Sequence, residues 1–146
     1  MSDHRKPPKP PHYDTALEGV CRWCNVPIGV TPRGKPSKAR WHIRCLSEFK
    51  LLHWPTKTRQ AVWRRDSGKC AGCGTICAKK GLPKWHMDHI KPLIEAKGDI
   101  TYWQMGNLQT LCHPCHTTKT SAEATERAVK RRAAKVPPTD PTPPSV

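Results

Sequence analysis

Six of the eight cysteines fall into three C-x-x-C pairs, Cys21/Cys24, Cys70/Cys73 and Cys112/Cys115, leaving Cys45 and Cys77 outside them. A chain of 146 residues has room for one ordinary domain or for two very small ones. Very small domains bury too little apolar surface to hold without a staple. The start, "MSDHRKPPKPPHYD", carries positive charge with no apolar run behind it, and no stretch approaches membrane-spanning length. The sequence therefore predicts neither a secretory signal nor a membrane segment, and a reducing, cytoplasmic location. In such a compartment cysteine pairs at this spacing are metal ligands more often than disulfides. A redox C-x-x-C sits at a helix start and occurs once, so three copies argue against that use.

The spacing sorts the pairs into two sites. "CAGCG" is answered about forty residues later by "CHPC", so Cys70, Cys73, Cys112 and Cys115 form a four-thiolate set with the pattern of a structural zinc. Cys21 and Cys24 of "CRWC" are answered by His42 and Cys45 of "WHIRC", a Cys3His set for a second zinc. A surface histidine and a buried thiol would be the plainer account of His42 and Cys45. Cys77 has no partner left and reads as a small apolar residue.

These sites divide the chain into a zinc module over residues 19–54 and a larger unit over 55–135, with proline-rich ends over 1–18 and 136–146 that the composition predicts to be disordered. In the larger unit "TKTRQAVWRRD" predicts a helix, with Thr56 near its N-cap and Ala61, Val62 and Trp63 on its buried side. Arg59, Arg64 and Arg65 lie on the remaining faces, where phosphate or solvent explains them equally well. Short apolar runs around Trp85 to Ile90 and Leu108 to Leu111 predict two strands joined by a long loop. After "CHPC", Pro114 and the run of Ala, Glu, Lys and Arg predict a helix to about Lys135, supported by the pairs Glu123/Arg127 and Glu126/Lys130. The expected fold is a small, zinc-stabilised α+β unit preceded by a second zinc module.

Lysine and arginine number 26 against 11 acids, a formal charge of +15. Such an excess favours a polyanionic partner bound through salt-sensitive phosphate contacts, with solubility as the alternative use of the charge.

In order and spacing, "RRDSGKCAGCG", "MDHIKPL", "GNLQTLC" and "CHPCHTTKT" resemble the HNH endonucleases of the ββα-metal class, more particularly small phage and bacterial ones buttressed by a four-cysteine zinc. The resemblance covers about residues 59–121. The N-terminal "CRWC … WHIRC" resembles, more loosely, a zinc module found ahead of the nuclease in some relatives. It implies a treble-clef-like ββα-metal core, double-stranded DNA as partner and substrate, and a catalytic divalent cation (Mg2+, Mn2+, Ni2+ or Zn2+) beside the structural Zn2+. For a phage protein it further implies a packaging terminase as partner and the host cytoplasm as location.

The residues meet that chemistry directly. Phosphodiester hydrolysis needs an activated water and a Lewis acid for the developing charge. His89 suits a general base, and Asp88 a ligand of the divalent ion. The family pattern nominates His116 as the second ligand, and Asn107 as the residue whose amide ties down the loop and orients His89. Adjacent strand residues point to opposite faces, so the strand must end or twist at His89. The same alternation puts His86 on the face of Asp88, as an extra ligand, a phosphate contact or a packed neighbour. Lys91, Lys97 and Lys119 are placed near the site to reach phosphate, and Lys130, Arg131 and Arg132 to extend the footprint, with solvated positions as the alternative. His113 reads as an exposed residue between zinc ligands. Besides the nuclease, two readings stand: a non-catalytic zinc module that binds nucleic acid, and an adaptor whose N-terminal unit recruits a protein.

Overall fold

A computed structural model describes residues 6–135 of the chain. Residues 1–5 and the segment 136–146, expected as proline-rich tails, lie outside the described residues.

Helix α1 spans Ile43–His53 and α2 spans Pro55–Arg65, separated by Trp54 alone. The break follows from Pro55. Proline lacks the N–H that would continue α1, and it drives the preceding residue out of helical space. Trp54 is accordingly extended, at φ −113° and ψ 92°, while Pro55 takes the first turn of α2, where its missing N–H costs nothing. The Thr58 hydroxyl donates to the carbonyls of Leu51 and Trp54, which fastens the new helix to the old one. The buried residues of α2 are Thr58 and Val62.

Strands β1 (Trp85–His89) and β2 (Leu108–Cys112) pair antiparallel, with His86 opposite Leu111, Asp88 opposite Gln109 and His89 opposite Leu108. Their connection is built from three short 3-10 turns, at Leu93–Glu95, Ile100–Trp103 and Met105–Asn107. Helix α3 (His113–Ala133) follows β2 directly, with Cys112 as its N-cap residue. Along α3, Glu123 pairs with Arg127 at 3.8 Å and Glu126 with Lys130 at 2.7 Å, as their spacing predicts.

The core beneath the hairpin gathers Cys70, Cys77, Trp85, Leu111 and Cys112, with Trp63 and Met87 packed against it. Cys77 is the small buried apolar residue expected, and burial pushes its thiol pKa up. Arg59 is not a free phosphate contact: its guanidinium lies 3.7 Å from the Trp85 ring centroid and donates to the Trp85 carbonyl at 2.8 Å. Gly68 stands at φ +70°, and a Cβ there would meet the Cys77 carbonyl at 2.7 Å, so only glycine fits.

Residues 10–18 do not lie as the tail that their proline content predicts. Tyr13 N–H donates to Pro10 and Ala16 N–H to His12, both at 3.0 Å. The Tyr13 ring stacks on Phe49 with centroids 5.7 Å apart and meets Trp41 edge-on, and Arg40 donates to the Ala16 carbonyl at 2.7 Å. One aromatic ring meeting a pair contributed by the zinc module supplies the apolar burial that the segment's composition does not suggest.

Candidate metal centres and active site

The two cysteine sets come together as the spacing predicts: Cys21, Cys24, His42 and Cys45 in one cluster, Cys70, Cys73, Cys112 and Cys115 in the other, the ligand atoms of each lying within 4.8 Å of one another. Thiolates on a tetrahedral zinc, at Zn–S about 2.3 Å, stand roughly 3.8 Å apart. Cys73 and Cys112 have their sulfurs 3.6 Å apart, which fits.

Both clusters are built the same way. In each, the first cysteine of a C-x-x-C pair exchanges backbone hydrogen bonds across a tight turn. Cys21 N–H donates to Val26 and Asn25 N–H to Cys21; Cys70 N–H donates to Thr75 and Gly74 N–H to Cys70. The residue after each pair is left-handed, Asn25 at φ 57° and Gly74 at φ 77°, a conformation open to asparagine and glycine. The other two ligands come from a helix start: His42 and Cys112 are N-cap residues, and Cys45 and Cys115 each stand third in the helix that follows. Exposed N–H groups at a helix start favour negative sulfur. Gly72 completes the second cluster, since a Cβ there would lie 3.0 Å from the Cys115 sulfur.

The electrostatics ask for a cation. Burial raises the Cys70 thiol, but the N–H groups of Cys112, Cys73 and Gly72 outweigh it and bring the pKa down to about 6; Cys21 also falls to about 6, through Cys24, His42 and Trp23. Cys115, hydrogen-bonded by Cys112, Cys73 and Cys70, is pushed up to about 12, because four sulfurs cannot all be anionic together without a positive ion. His42 turns Nδ1 toward Cys24 and Cys45, at 3.4 and 3.9 Å, and places Nε2 3.3 Å from the Pro27 carbonyl. A proton on Nε2 donated to Pro27 leaves Nδ1 free to ligate.

Beside the second cluster, β1 and α3 form the candidate active site. The first turns of α3 bring His116 against β1, and its Nε2 lies 3.8 Å from Asp88 Oδ1. A gap of this size admits one ion bonded to both at about 2.1 Å. Asp88 is mostly buried, and its Oδ2 accepts from Gln109 at 3.1 Å and from the Lys119 ammonium at 3.0 Å. Lys119 also donates to the His89 carbonyl at 2.8 Å and to Glu123. Burial works against its charge, but the bonds to Glu123 and Asp88 outweigh that and raise its pKa. Lys119 is therefore an internal tie between α3 and the end of β1, whereas its spacing suggested an outward phosphate contact.

Strand alternation holds through the last residue of β1. Asp88 and His86 face α3, while His89 faces away, lining a cavity with Leu52, His53 and Trp103. Burial, aided by Lys119, lowers the His89 pKa against the opposing pull of Asp88. Asn107 does tie the loop: Oδ1 accepts from Lys91 N–H at 2.8 Å, Nδ2 donates to the carbonyls of Lys91 and Tyr102 at 3.1 and 2.8 Å, and its own carbonyl accepts from Ile90 N–H. The segment just past His89 is thereby clamped.

Two further placements differ from the sequence expectations. Arg65 is held internally, donating to the carbonyls of Met105 and Leu108 at 2.6 and 2.7 Å and to the Asp66 carboxylate, so it is no free phosphate ligand. His113 is not idle, since its Nδ1 lies 3.1 Å from His86 Nε2, and His86 in turn stacks on His116 with centroids 4.3 Å apart. The three-residue spacing of His113 and His116, which puts both on one face of α3, was the signal available for that cluster. Lys91 and Arg64 remain exposed.

The hairpin and the first half of α3 lie within residues 70–122, which match the family model described as HNH endonuclease. Among curated proteins, the DNA annealing helicase and endonuclease ZRANB3 of Mus musculus and that of Homo sapiens are each 44% identical to this chain over 48 residues, which is 33% of the chain. The chain spans about 4% of the length of these relatives. No solved structure matches it.

Proposed function

We propose that the chain is a divalent-metal-dependent DNA endonuclease that hydrolyses phosphodiester bonds. The observation that carries this reading is the approach of Asp88 Oδ1 to His116 Nε2, 3.8 Å apart inside the segment that matches the HNH model. Asp88 and His116 would hold the ion, Mg2+, Mn2+, Ni2+ or Zn2+, which supplies the Lewis acid for charge developing on the phosphate. His89 takes the proton of the attacking water, and Asn107 fixes the backbone beyond it. Both cysteine clusters would hold Zn2+, and the one formed by Cys70, Cys73, Cys112 and Cys115 would set the start of α3, and with it the aim of His116. DNA as substrate is supported by the similarity to ZRANB3, a DNA annealing helicase and endonuclease. Lys91 and Arg64, exposed and basic, are suited to phosphate contacts. A cytoplasmic location rests on the sequence expectation of a reducing compartment, and work beside a packaging terminase on the resemblance to phage enzymes alone.

A second reading has its own observation. Lys119 holds one oxygen of Asp88, and His89 turns to the opposite face of β1, an arrangement that also suits a module which binds nucleic acid without cutting it. The two separate in a supercoiled-plasmid assay of wild type, His89→Ala and Asp88→Asn, with Mg2+, Mn2+ or Ni2+. Nicking by the wild type alone, in the presence of metal, supports the endonuclease. Equal DNA retardation by all three with no cleavage under any metal removes it.

A further inference from the structure

His86 and His113 take no part in the hydrolysis itself, yet both are joined to a residue that would hold the ion. His113 is the first residue of α3, directly after the cluster cysteine Cys112, and its backbone N–H donates to the Lys84 carbonyl at 3.1 Å, just before β1 begins. Its Nδ1 lies 3.1 Å from His86 Nε2, so one of the two rings donates to the other. His86 in turn lies flat on His116, with centroids 4.3 Å apart and planes 13° apart. His116 presents its Nε2 to Asp88. Side-chain contacts thus run unbroken from the start of α3 to the nitrogen that would meet the ion.

A histidine that ligates a metal is ordinarily oriented by a hydrogen bond to its second ring nitrogen. Among the described residues, no hydrogen bond reaches the ring of His116, whose side chain is 31% exposed and so is not locked by burial either. We propose that His86 is the positioning residue for His116: the stacked ring takes the place of that hydrogen bond, and His113 holds His86 where the stack needs it. The inference rests on reading Asp88 and His116 as the residues that hold the ion. Two rings in face contact resist rotation of either one, so His116 stays turned toward Asp88 before an ion arrives. A ring free to swing must be ordered by each ion that binds, and affinity falls by that cost. His86 shares the face of Asp88, but its Nε2 is spent on His113, so what it offers the site is the face of its ring.

The test separates a brace from a ligand. Mn2+ affinity is measured by titration calorimetry on the zinc-loaded protein, and plasmid cleavage is followed against Mn2+ concentration. His86→Ala is expected to weaken Mn2+ binding about tenfold. The Mn2+ concentration for half-maximal cleavage should rise by the same factor, while the rate at saturating Mn2+ stays near that of wild type, because the bound ion then holds the ring itself. His86→Phe, which keeps a flat ring and loses both nitrogens, is expected to restore most of the affinity, and His113→Ala to fall between the two. Should His86→Ala not fold, His86→Gln, which can still bond to His113 but has no ring, takes its place with the same expectation. His86→Phe as weak as the ringless variant would make a nitrogen of His86 the useful part and overturn the proposal. Unchanged Mn2+ affinity without the ring overturns it as well. If Asp88→Asn binds Mn2+ as tightly as wild type, the ion is not held at Asp88 and His116, and both readings fall. A protein that shows the expected order of Mn2+ affinities yet never cuts DNA overturns the endonuclease and leaves the brace standing.

Discussion

Asn107 grips the backbone of Lys91 from both sides, its Oδ1 accepting from the Lys91 N–H at 2.8 Å and its Nδ2 donating to the Lys91 carbonyl at 3.1 Å. The two residues sit at opposite ends of the long connection between β1 and β2. One buried amide thus closes the loop just where the chain leaves His89.

The donor half of that amide is irreplaceable. In Asn107→Asp, the atom facing the carbonyls of Lys91 and Tyr102 becomes a carboxylate oxygen, and three acceptors are left to repel in a buried place. Asn107→Asp is expected to cost about 2–4 kcal/mol of stability, more than Asn107→Ala at about 2 kcal/mol. Urea unfolding of the two variants checks the order, and an aspartate variant as stable as wild type would contradict it.

Lys119 and the proposed ion compete for Asp88. An ammonium 3.0 Å from Oδ2 neutralises the carboxylate that the ion would use. Lys119→Met is expected to tighten Mn2+ binding about tenfold, or ~1.4 kcal/mol, since a like charge within a few ångströms of the ion is removed. Cleavage is nonetheless expected to fall, because the same side chain holds the His89 carbonyl. Titration calorimetry with Mn2+ beside the plasmid assay reads both, and unchanged Mn2+ affinity would show that Lys119 does not compete.

Metal content should count the clusters. Each of the two sets gathers four ligands, so the purified chain is expected to hold two zinc ions, falling to one in Cys21→Ser and one in Cys70→Ser by elemental analysis. A structural zinc binds with about 10 kcal/mol or more, comparable to the whole stability of a small domain. Stripping the Cys70 cluster with chelator is therefore expected to unfold the hairpin and α3 at room temperature, seen as lost helical circular dichroism. Retention of a cooperative melt without zinc would assign the hold to the apolar core instead.

The parts of this molecule legible in the sequence were those with local signatures. Ligand spacing gave both clusters, and alternation put His86 with Asp88; β1 does end at His89, but with the alternation unbroken, so His89 stays on the face opposite Asp88. What escaped was long-range use of polar side chains. Nothing in the neighbourhood of Arg65 announces that its guanidinium will cap two carbonyls some forty positions away, and nothing near Lys119 announces that it will turn inward to Asp88. A basic side chain on a helix has the same local pattern whether it faces water, phosphate or a buried carboxylate. The same limit hid the packing of Tyr13 on Phe49 behind a proline-rich composition.

Asp66 offers the test of that polar network by pH. Its carboxylate takes two bonds from Arg65, at 2.7 and 3.1 Å, and one from Thr110 N–H at 3.0 Å, which joins the end of α2 to β2. Burial raises its pKa, but the Arg65 guanidinium and the Thr110 N–H outweigh that and hold it below the ordinary value of 3.8. A carboxylate whose folded pKa lies below its unfolded one stabilises the fold fully above the unfolded value, and that contribution is lost as pH falls toward the folded value. Asp66→Asn is thus expected to cost about 1–3 kcal/mol at pH 7. The gap between wild type and variant should hold steady down to about pH 5 and then narrow below about 4. Both proteins share the cysteine clusters, so acid loss of metal cancels in the difference between their urea midpoints. A gap that stays constant to pH 3 would mean that the ionised carboxylate is not what joins α2 to the hairpin.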